Sequence, residues 1–212
     1  MALTFYYGSG SPFAWKVWLA LEHKAIPYDL KVLSFDKGET RAPAFRAINP
    51  RGKVPTIVDE GYALWESTVI LEYLDEVYPE RPLLPKDLQG RATVRRIAAE
   101  AENFLGPLIG NLVGATLFRK GPEDANALAD MHNRLDEELP RFETMLLGEY
   151  FASDLSLADF TVYPHIRLIL RVDERQPGEH WSKHIPTQLA AWMKRIETLP
   201  YYERTIPPHW KS

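Results

Sequence analysis

The groups best suited to bind a small peptide lie within residues 52–67, which read GKVPTIVDEGYALWES. Val54 precedes Pro55, between a predicted loop and a predicted strand. A cis Val-Pro bond, which costs only about 0.5–1 kcal/mol over trans, would turn the Val54 amide and carbonyl outward to pair with an extended peptide. The dipeptide alone favours an ordinary trans proline, but the flanking pattern favours cis.

Glu66 and Ser67 suit the zwitterionic end of an amino acid. A hydroxyl and free amides at a helix N-terminus form an anion site for an α-carboxylate, and Glu66 would face the adjacent ammonium group. Capping of the helix by Ser67 is the simpler alternative. The other carboxylate of a peptide bound at Val54 would point away from Ser67, within reach of Lys53. Arg41 lies in the preceding loop and short helix, and for both cations a purely solvated role is the alternative.

Ser11 is the candidate catalytic residue, on the loop before a helix that begins with Pro12. A helix N-terminus favours negative charge by about 0.3–1 kcal/mol, and the hydroxyl could donate a charge-assisted hydrogen bond of about 1.5–3 kcal/mol to a thiolate. Because one pKa unit corresponds to about 1.4 kcal/mol, these effects could lower a thiol pKa of about 8.5 by about one to three units. Tyr6 and Tyr7 are rival donors, and simple helix capping by Ser11 is the third alternative. No catalytic triad or G-x-S-x-G motif marks Ser11 as a nucleophile.

Composition excludes several classes of function. The chain of 212 residues has no cysteine, which excludes disulfides, cysteine-ligated metals and a cysteine nucleophile. The net charge of −4, without any Lys/Arg-rich run, gives nucleic acid no electrostatic basis for binding. No apolar stretch approaches the roughly 20 residues of a membrane helix, and the N-terminus lacks a signal-peptide pattern, so a cytoplasmic protein is predicted. His180 and His184 lack a third ligand, and we expect no metal site.

The hydrophobic pattern predicts two domains. The first contains strands at 3–7 and 28–33, a helix that Ser11 caps and Pro27 ends, a short helix around Phe45 and Ile48, a hairpin of 56–58 with 62–65, and a helix at 67–78. This order, β-α-β-α-β-β-α, is a thioredoxin-like α/β arrangement. Helical patterns alone follow, at about 89–119, 124–147, 156–172 and 186–198. We therefore predict a thioredoxin-like domain at 1–80, a proline-rich linker at 81–88 and an all-α helical bundle at 89–212.

Several motifs together resemble the soluble glutathione S-transferases. They are SPFAWKV at 11–17, NPRGKVP at 49–55, ES at 66–67, LDEVYP at 74–79 and SLAD at 156–159. The SPF motif before the first helix is similar to the serine-type, tau-like members. The resemblance implies that Ser11 holds the glutathione thiolate. It implies a glutathione-binding set made of Phe13, Arg41, Lys53, Val54, Pro55, Glu66 and Ser67.

The same resemblance implies a homodimer with one glutathione site per subunit and an adjoining apolar pocket. Glutathione would be the co-substrate, without a bound cofactor or metal, and its thiolate would attack hydrophobic electrophiles. A non-catalytic binding protein and a glutathione-dependent isomerase or dehalogenase remain alternatives. Zeta-like isomerases carry a doubled serine and a cysteine where this chain has GSGSPF, which ranks that group low. Arg51 stands where several classes of the family have an aromatic residue that locks the dimer. SLAD matches the family's capping box, Ser156 with Asp159 at N3, which is a buried folding element rather than a catalytic site.

Overall fold

The computed structural model describes residues 3–122 and 124–211, which divide into two compact units. Residues 1–83 and 199–212 belong to the first unit, and residues 84–198 form the second. The sequence pattern alone places the last residues with the helical domain. Their contacts place them with the first unit, because the Trp15 indole N–H donates to the Thr205 hydroxyl at 3.0 Å.

The first unit has the predicted β-α-β-α-β-β-α order. Its elements are β1 (Leu3–Gly8), α1 (Pro12–Lys24), β2 (Tyr28–Leu33), α2 (Pro43–Arg46), β3 (Thr56–Asp59), β4 (Tyr62–Trp65) and α3 (Ser67–Val77). The strands form one sheet in the order β2-β1-β3-β4. β1 is parallel to β2 and antiparallel to β3, and β3 is antiparallel to β4. The thioredoxin-like prediction is therefore confirmed.

Helix α1 begins where its sequence predicts and ends at Lys24, shortly before Pro27. Ser11 is the N-cap, with its Oγ accepting a hydrogen bond from the Ala14 amide at 3.3 Å, and proline is the first helical residue. The helix closes at Ala25, whose left-handed φ of 54° directs its N–H to the last turn. Residues 14–21 are all buried. Phe13, in the first turn before this segment, is 39% exposed.

Helix α3 has two apolar faces rather than one. Ile70, Leu71 and Leu74 are fully buried, whereas Val69 and Val77 are 50% and 46% exposed. Hydrophobicity alone does not assign neighbouring positions of a short apolar helix to one side, so the sequence does not show which of these residues face the sheet.

A buried ion pair ties α1 to α3. The Lys24 side chain is 0% exposed, and its Nζ lies 3.0 Å from Oδ1 of Asp75 and 3.0 Å from the Arg81 carbonyl oxygen. Asp75 also accepts a hydrogen bond from the Leu83 amide at 2.6 Å. A buried charge must be paired and hydrogen-bonded to be tolerated, and these contacts meet that requirement.

The second unit is helical in the residues that the structure describes. It contains α4 (Leu88–Glu100), a π-helical segment (Ala101–Leu105), α5 (Gly106–Ala115), α6 (Ala125–Thr144), α7 (Leu157–Arg175) and α8 (Thr187–Glu197). Helix α9 (Tyr202–Thr205) follows in the first unit. Across residues 3–122 and 124–211, no helix combines the length and apolar character needed to cross a membrane.

The continuous helix predicted at 89–119 is interrupted. The Gly106 amide bonds the Ala101 carbonyl, five residues back, which is the π-helical pattern. Pro107 follows and lacks an N–H, so the regular ladder cannot continue through it. The sequence pattern shows the apolar periodicity of this helix but does not show where its hydrogen bonding changes from α to π.

Asp159 is the buried centre of the α7 N-terminus. Its Oδ2 accepts the Ser156 amide at 2.8 Å and the Ser156 hydroxyl at 2.7 Å. Its Oδ1 accepts the Trp192 indole at 2.8 Å and the Phe151 amide at 3.2 Å. Burial raises the pKa of Asp159 to about 6, against these hydrogen bonds, which lower it. The capping box predicted from SLAD is thus confirmed.

Candidate functional site

The strand register brings three loop segments to one edge of the sheet. Tyr6 near the end of β1 pairs with Thr56 at the start of β3, and Thr56 pairs with Trp65 at the end of β4. The loop after β1, the segment before β3 and the residues after β4 therefore meet at this edge. Most of the predicted site residues lie in these three segments, whereas Phe13 lies in the first turn of α1 and Arg41 lies just before α2.

Ser11 lies at this edge with its hydroxyl in a defined environment. Its amide donates to the Gly8 carbonyl at 3.1 Å, closing a turn at the end of β1. Its Oγ accepts the Ala14 amide hydrogen bond of the helix cap. A hydroxyl has one hydrogen to donate and two lone pairs, so accepting this bond leaves its hydrogen for another acceptor. Helix capping and donation to a ligand are therefore compatible roles.

Tyr7 is placed differently from Ser11. Its side chain is 0% exposed and packs edge-on against Trp18, with ring centroids 4.7 Å apart. Burial raises the pKa of Tyr7 to about 12, although the polar groups of Gly10 and Ser9 act against this. The phenol oxygen is enclosed by protein, so a ligand cannot reach it without rearrangement. Tyr6 packs its ring on Phe45.

Val54 and Pro55 lie beside the end of β1. The bond between them is cis, as the flanking pattern predicted. A Cβ added to Gly8 would lie 2.8 Å from Cγ2 of Val54, so only glycine permits this approach. In the described part of the chain the Val54 backbone makes no hydrogen bond, because β3 begins two residues later.

Asn49 shapes the loop that precedes Val54. It is 0% exposed, and its amide group donates to the Lys53 carbonyl at 2.9 Å and to the Thr56 hydroxyl at 2.9 Å. Its Oδ1 accepts the Arg51 amide at 2.9 Å. Sequence analysis gave Asn49 no role. The Asn-Pro dipeptide in a glycine-containing loop is the signal that could have identified it as a turn-forming side chain.

Arg41 and Lys53 lie on two segments that contact each other. Gly52, with φ of 61°, approaches Thr40 so closely that an added Cβ would lie 2.6 Å from the Thr40 carbonyl oxygen. Both cationic side chains are exposed. Neither forms an ion pair with any residue within 3–122 or 124–211.

Glu66 and Ser67 form the N-terminus of α3. Glu66 is the exposed N-cap residue, with φ of 71° and ψ of 107°, and its side chain makes no capping bond. Such a backbone conformation is unusual for a residue other than glycine and indicates local strain. Ser67 is the first helical residue and is buried, and the first turn of α3 contains no acidic residue. The positive end of the helix dipole therefore meets no competing carboxylate within its first turn.

Lys16 is a site-supporting residue that sequence analysis missed. Its side chain is fully buried on α1, and its Nζ donates to the Thr68 hydroxyl at 2.8 Å, next to Ser67. The signal was a lysine within a helix that is apolar on nearly every side, because a fully buried lysine must have a partner. The contact joins the helix after Ser11 to the helix after Glu66.

The histidines near the end of the second unit contact other groups. Both ring nitrogens of His184 are engaged, with Nδ1 2.6 Å from Oδ1 of Asp136 and Nε2 2.6 Å from Nδ1 of His132. His180 is exposed. Among the residues that the structure describes, no group of three or more His, Asp or Glu side chains is placed to hold a metal ion.

Comparison with known proteins identifies the family. The profile described as "Glutathione S-transferase, N-terminal domain" matches residues 10–77. A probable maleylacetoacetate isomerase 2 of Drosophila melanogaster is 34% identical over 160 residues, 74% of this chain and 69% of the relative. Glutathione S-transferase 1 of Dianthus caryophyllus is 32% identical over 165 residues, 76% of this chain and 74% of the relative. The crystal structure of a glutathione S-transferase from the Antarctic clam Laternula elliptica has a TM-score of 0.84 and 31% identity, covering 100% of this chain and 95% of that chain. On the strength of these similarities, and of the motifs and fold that agree with them, this chain belongs to the glutathione S-transferase family.

Proposed function

We propose that this protein transfers the thiolate of glutathione to hydrophobic electrophiles, with Ser11 as the catalytic residue. The observation that carries the proposal is the single sheet edge at which the Ser11 hydroxyl, the Val54 backbone and the α3 N-terminus meet. Glutathione presents a thiol, a central peptide unit and two charged ends, and each has a chemically suitable group there. The serine-type, tau-like assignment stays a prediction.

The proposed binding mode uses the two helix N-termini and the Val54 backbone. The γ-glutamyl carboxylate would bind the α3 N-terminus at Ser67, and its ammonium group would face Glu66. The cysteinyl residue would pair with the Val54 backbone beside Pro55, in the manner of strand addition. The glycyl carboxylate would reach Lys53.

Arg41 and Phe13 complete the proposed binding set. Arg41 would support the glycyl carboxylate, because its segment contacts the loop before Lys53 and its side chain is exposed. Phe13 lies two residues after Ser11 in the first turn of α1. Its exposed ring offers an apolar surface next to the proposed sulfur position.

Ser11 would act by stabilising the thiolate rather than by attacking the substrate. The free thiol has a pKa of about 8.5, so only about 3% is ionised at pH 7. A hydrogen bond from the Ser11 hydroxyl and the α1 dipole would lower this pKa to about 6–7, and the released proton would pass to solvent. The thiolate would then form a carbon–sulfur bond, and the leaving group of an aryl halide would depart as halide with its bonding electrons.

The test is the pH dependence of conjugation in the Ser11→Ala variant. We expect the apparent pKa of bound glutathione, read from kcat/KM for the electrophile at saturating glutathione, to rise toward about 8.5, because the alanine cannot donate to the sulfur. Tyr6→Phe is the matched control, and we expect its profile to follow that of the wild type. An unchanged profile in Ser11→Ala would remove Ser11 from this role. Retention on immobilised glutathione without turnover of chlorodinitrobenzene by the wild type would support a binding protein instead.

A glutathione-dependent isomerase is the second candidate. The observation in its favour is the name of several relatives, among them the Drosophila protein and the Pseudomonas aeruginosa maleylacetoacetate isomerase, which is 33% identical over 172 residues. Isomerisation would begin from the same thiolate. Assays with maleylacetoacetate and chlorodinitrobenzene under the same conditions separate the two candidates, since kcat/KM should be clearly higher for the true substrate class.

We further propose a cytoplasmic homodimer in which residues 1–80 bind glutathione and residues 89–212 bind the electrophile. Val69 and Val77 are exposed on α3, with the half-buried Tyr73 between them at intervals of four, and an apolar stripe of this kind supports a subunit interface. Arg51 is exposed, which fits a more polar interface than an aromatic lock would give. Sedimentation equilibrium of the wild type and of Val69→Glu tests the dimer. The absence of cysteine suits a reducing compartment.

A further inference from the structure

We propose that His209 is a positioning residue for the turn that carries Ser11, acting through Ser9. This inference rests on the function proposed above. The turn comprises residues 8–11 and is closed by the hydrogen bond from the Ser11 amide to the Gly8 carbonyl. Gly10, at the third position, has a φ of 88°, the value that a type II turn requires there. Because half of the turn is glycine, its own sequence restrains it weakly, and outside contacts determine its position.

The imidazole of His209 lies directly against this turn. Its Nδ1 is 2.6 Å from Oγ of Ser9, the second residue of the turn. A Cβ added to Gly10 would lie 3.0 Å from Cε1 of His209. Glycine at position 10 is therefore required both by the backbone conformation and by the approach of this ring.

The contacts of His209 indicate which tautomer its neutral ring adopts. The indole Nε1–H of Trp210 can only donate, and it lies 3.0 Å from Nε2 of His209. Nε2 must therefore accept, which places the ring proton on Nδ1. The neutral imidazole then donates from Nδ1 to the Ser9 hydroxyl oxygen. A doubly protonated ring would lose the bond from Trp210.

The segment that carries His209 is anchored to α1, the helix that Ser11 caps. The ring of Trp210 packs edge-on against Trp15 of α1, with centroids 5.2 Å apart and planes at 86°. The Trp15 indole in turn donates to Thr205. The turn before α1 and the segment after α9 are thus held by the same helix, and His209 connects them.

The expected consequence concerns the direction of the Ser11 hydroxyl. Without His209, the glycine-containing turn would sample more conformations, and the hydroxyl would point at the glutathione sulfur for a smaller fraction of the time. We expect His209→Ala to raise the thiol pKa by about 0.5–1 unit, equivalent to the loss of one exposed hydrogen bond. Below that pKa, kcat/KM for the electrophile at saturating glutathione should fall about three- to tenfold, whereas well above it the wild type and the variant should converge.

The experiment compares four variants with the wild type. They are His209→Ala, His209→Asn, Ser9→Ala and the double variant His209→Ala/Ser9→Ala. Asparagine places an N–H near the position of Nδ1, so it should restore most of the wild-type profile. Because His209 is proposed to act through Ser9, the double variant should be no worse than either alanine variant alone. The readouts are the pH profile of kcat/KM for the electrophile at saturating glutathione, the ultraviolet absorbance of enzyme-bound thiolate, and urea unfolding to compare the stabilities of the variants.

Two results would overturn the inference. One is a wild-type pH profile in His209→Ala with the fold intact. The other is full additivity of the two alanine substitutions, because independent effects exclude action of His209 through Ser9. If the wild type itself fails to ionise bound glutathione, the proposed function fails and this inference fails with it. If the wild type ionises bound glutathione and only the variants depart from the expected pH profiles, the proposed function stands and only the inference about His209 fails.

Discussion

The left-handed backbone of Glu66 predicts opposite effects of one substitution on stability and on binding. At φ of 71° and ψ of 107°, a residue with a side chain is strained by about 1–3 kcal/mol. Glycine relieves this strain but costs about 0.5–1 kcal/mol through the greater freedom of the unfolded chain. We therefore expect Glu66→Gly to raise the free energy of unfolding by about 1 kcal/mol.

The same substitution should weaken glutathione binding. The exposed carboxylate is the proposed partner of the γ-glutamyl ammonium group, and a hydrogen bond between charged groups contributes about 1.5–3 kcal/mol. Its loss corresponds to about a tenfold to hundredfold higher dissociation constant. Glu66→Gln is the matched control, because it removes the same charge and keeps the strained backbone. We expect it to weaken binding similarly while changing the free energy of unfolding by less than about 0.5 kcal/mol.

The measurements are urea unfolding without glutathione, at one fixed protein concentration, and calorimetric titration with glutathione. A lower free energy of unfolding in Glu66→Gly would show that the backbone is not strained at this position. Wild-type affinity in both variants would show that the carboxylate does not bind the ammonium group. Each result refutes one half of the reasoning and leaves the other half to stand.

Two buried groups predict opposite slopes of stability between about pH 4 and 6.5. Burial, followed by the charges of Lys24 and Arg81, lowers the pKa of His23 from 6.5 to about 4. Its contribution of about 3 kcal/mol to the free energy of unfolding is therefore present above pH 6.5 and lost as pH falls to 4. Urea unfolding of His23→Gln should lack this loss at acid pH, and an equal loss in the variant would contradict the assignment. Burial raises the pKa of Asp159 from 3.8 to about 6, so about 3 kcal/mol is present below pH 3.8 and lost as pH rises through 6. Asp159→Asn cannot ionise and should therefore remove this slope in urea unfolding between about pH 4 and 7. A variant with the same slope as the wild type would contradict the assignment.

The sequence predicted those parts of the fold and site that local pattern determines. β1 and β2 appear where alternation and Gly8 place them, and Ser11 begins the helix because its hydroxyl can cap it. The loop after β1, the segment before β3 and the residues after β4 meet at one edge of the sheet because of the order and direction of the strands. The positions of the motifs on strands, loops and helix starts are therefore confirmed, while the roles of the individual binding residues stay predictions.

Features that depend on distant or three-dimensional context were not predicted. The π-helical segment before Pro107 arises from hydrogen-bond geometry, which hydrophobic periodicity does not record. The exposure of Val69 depends on which side of α3 meets the sheet. The contact of His209 with Ser9 joins residues 200 positions apart, and no short motif describes it.

The return of residues 199–211 to the first unit affects the order in which the protein can fold during synthesis. The Trp15 indole finds its partner Thr205 a full 190 positions later. A nascent chain that has reached only residue 83 can form the sheet, but its first helix still lacks the groups that cover that indole. The first unit is therefore completed only after residues 199–211 have left the ribosome. Its first helix stays partly exposed while the helical unit is being synthesised.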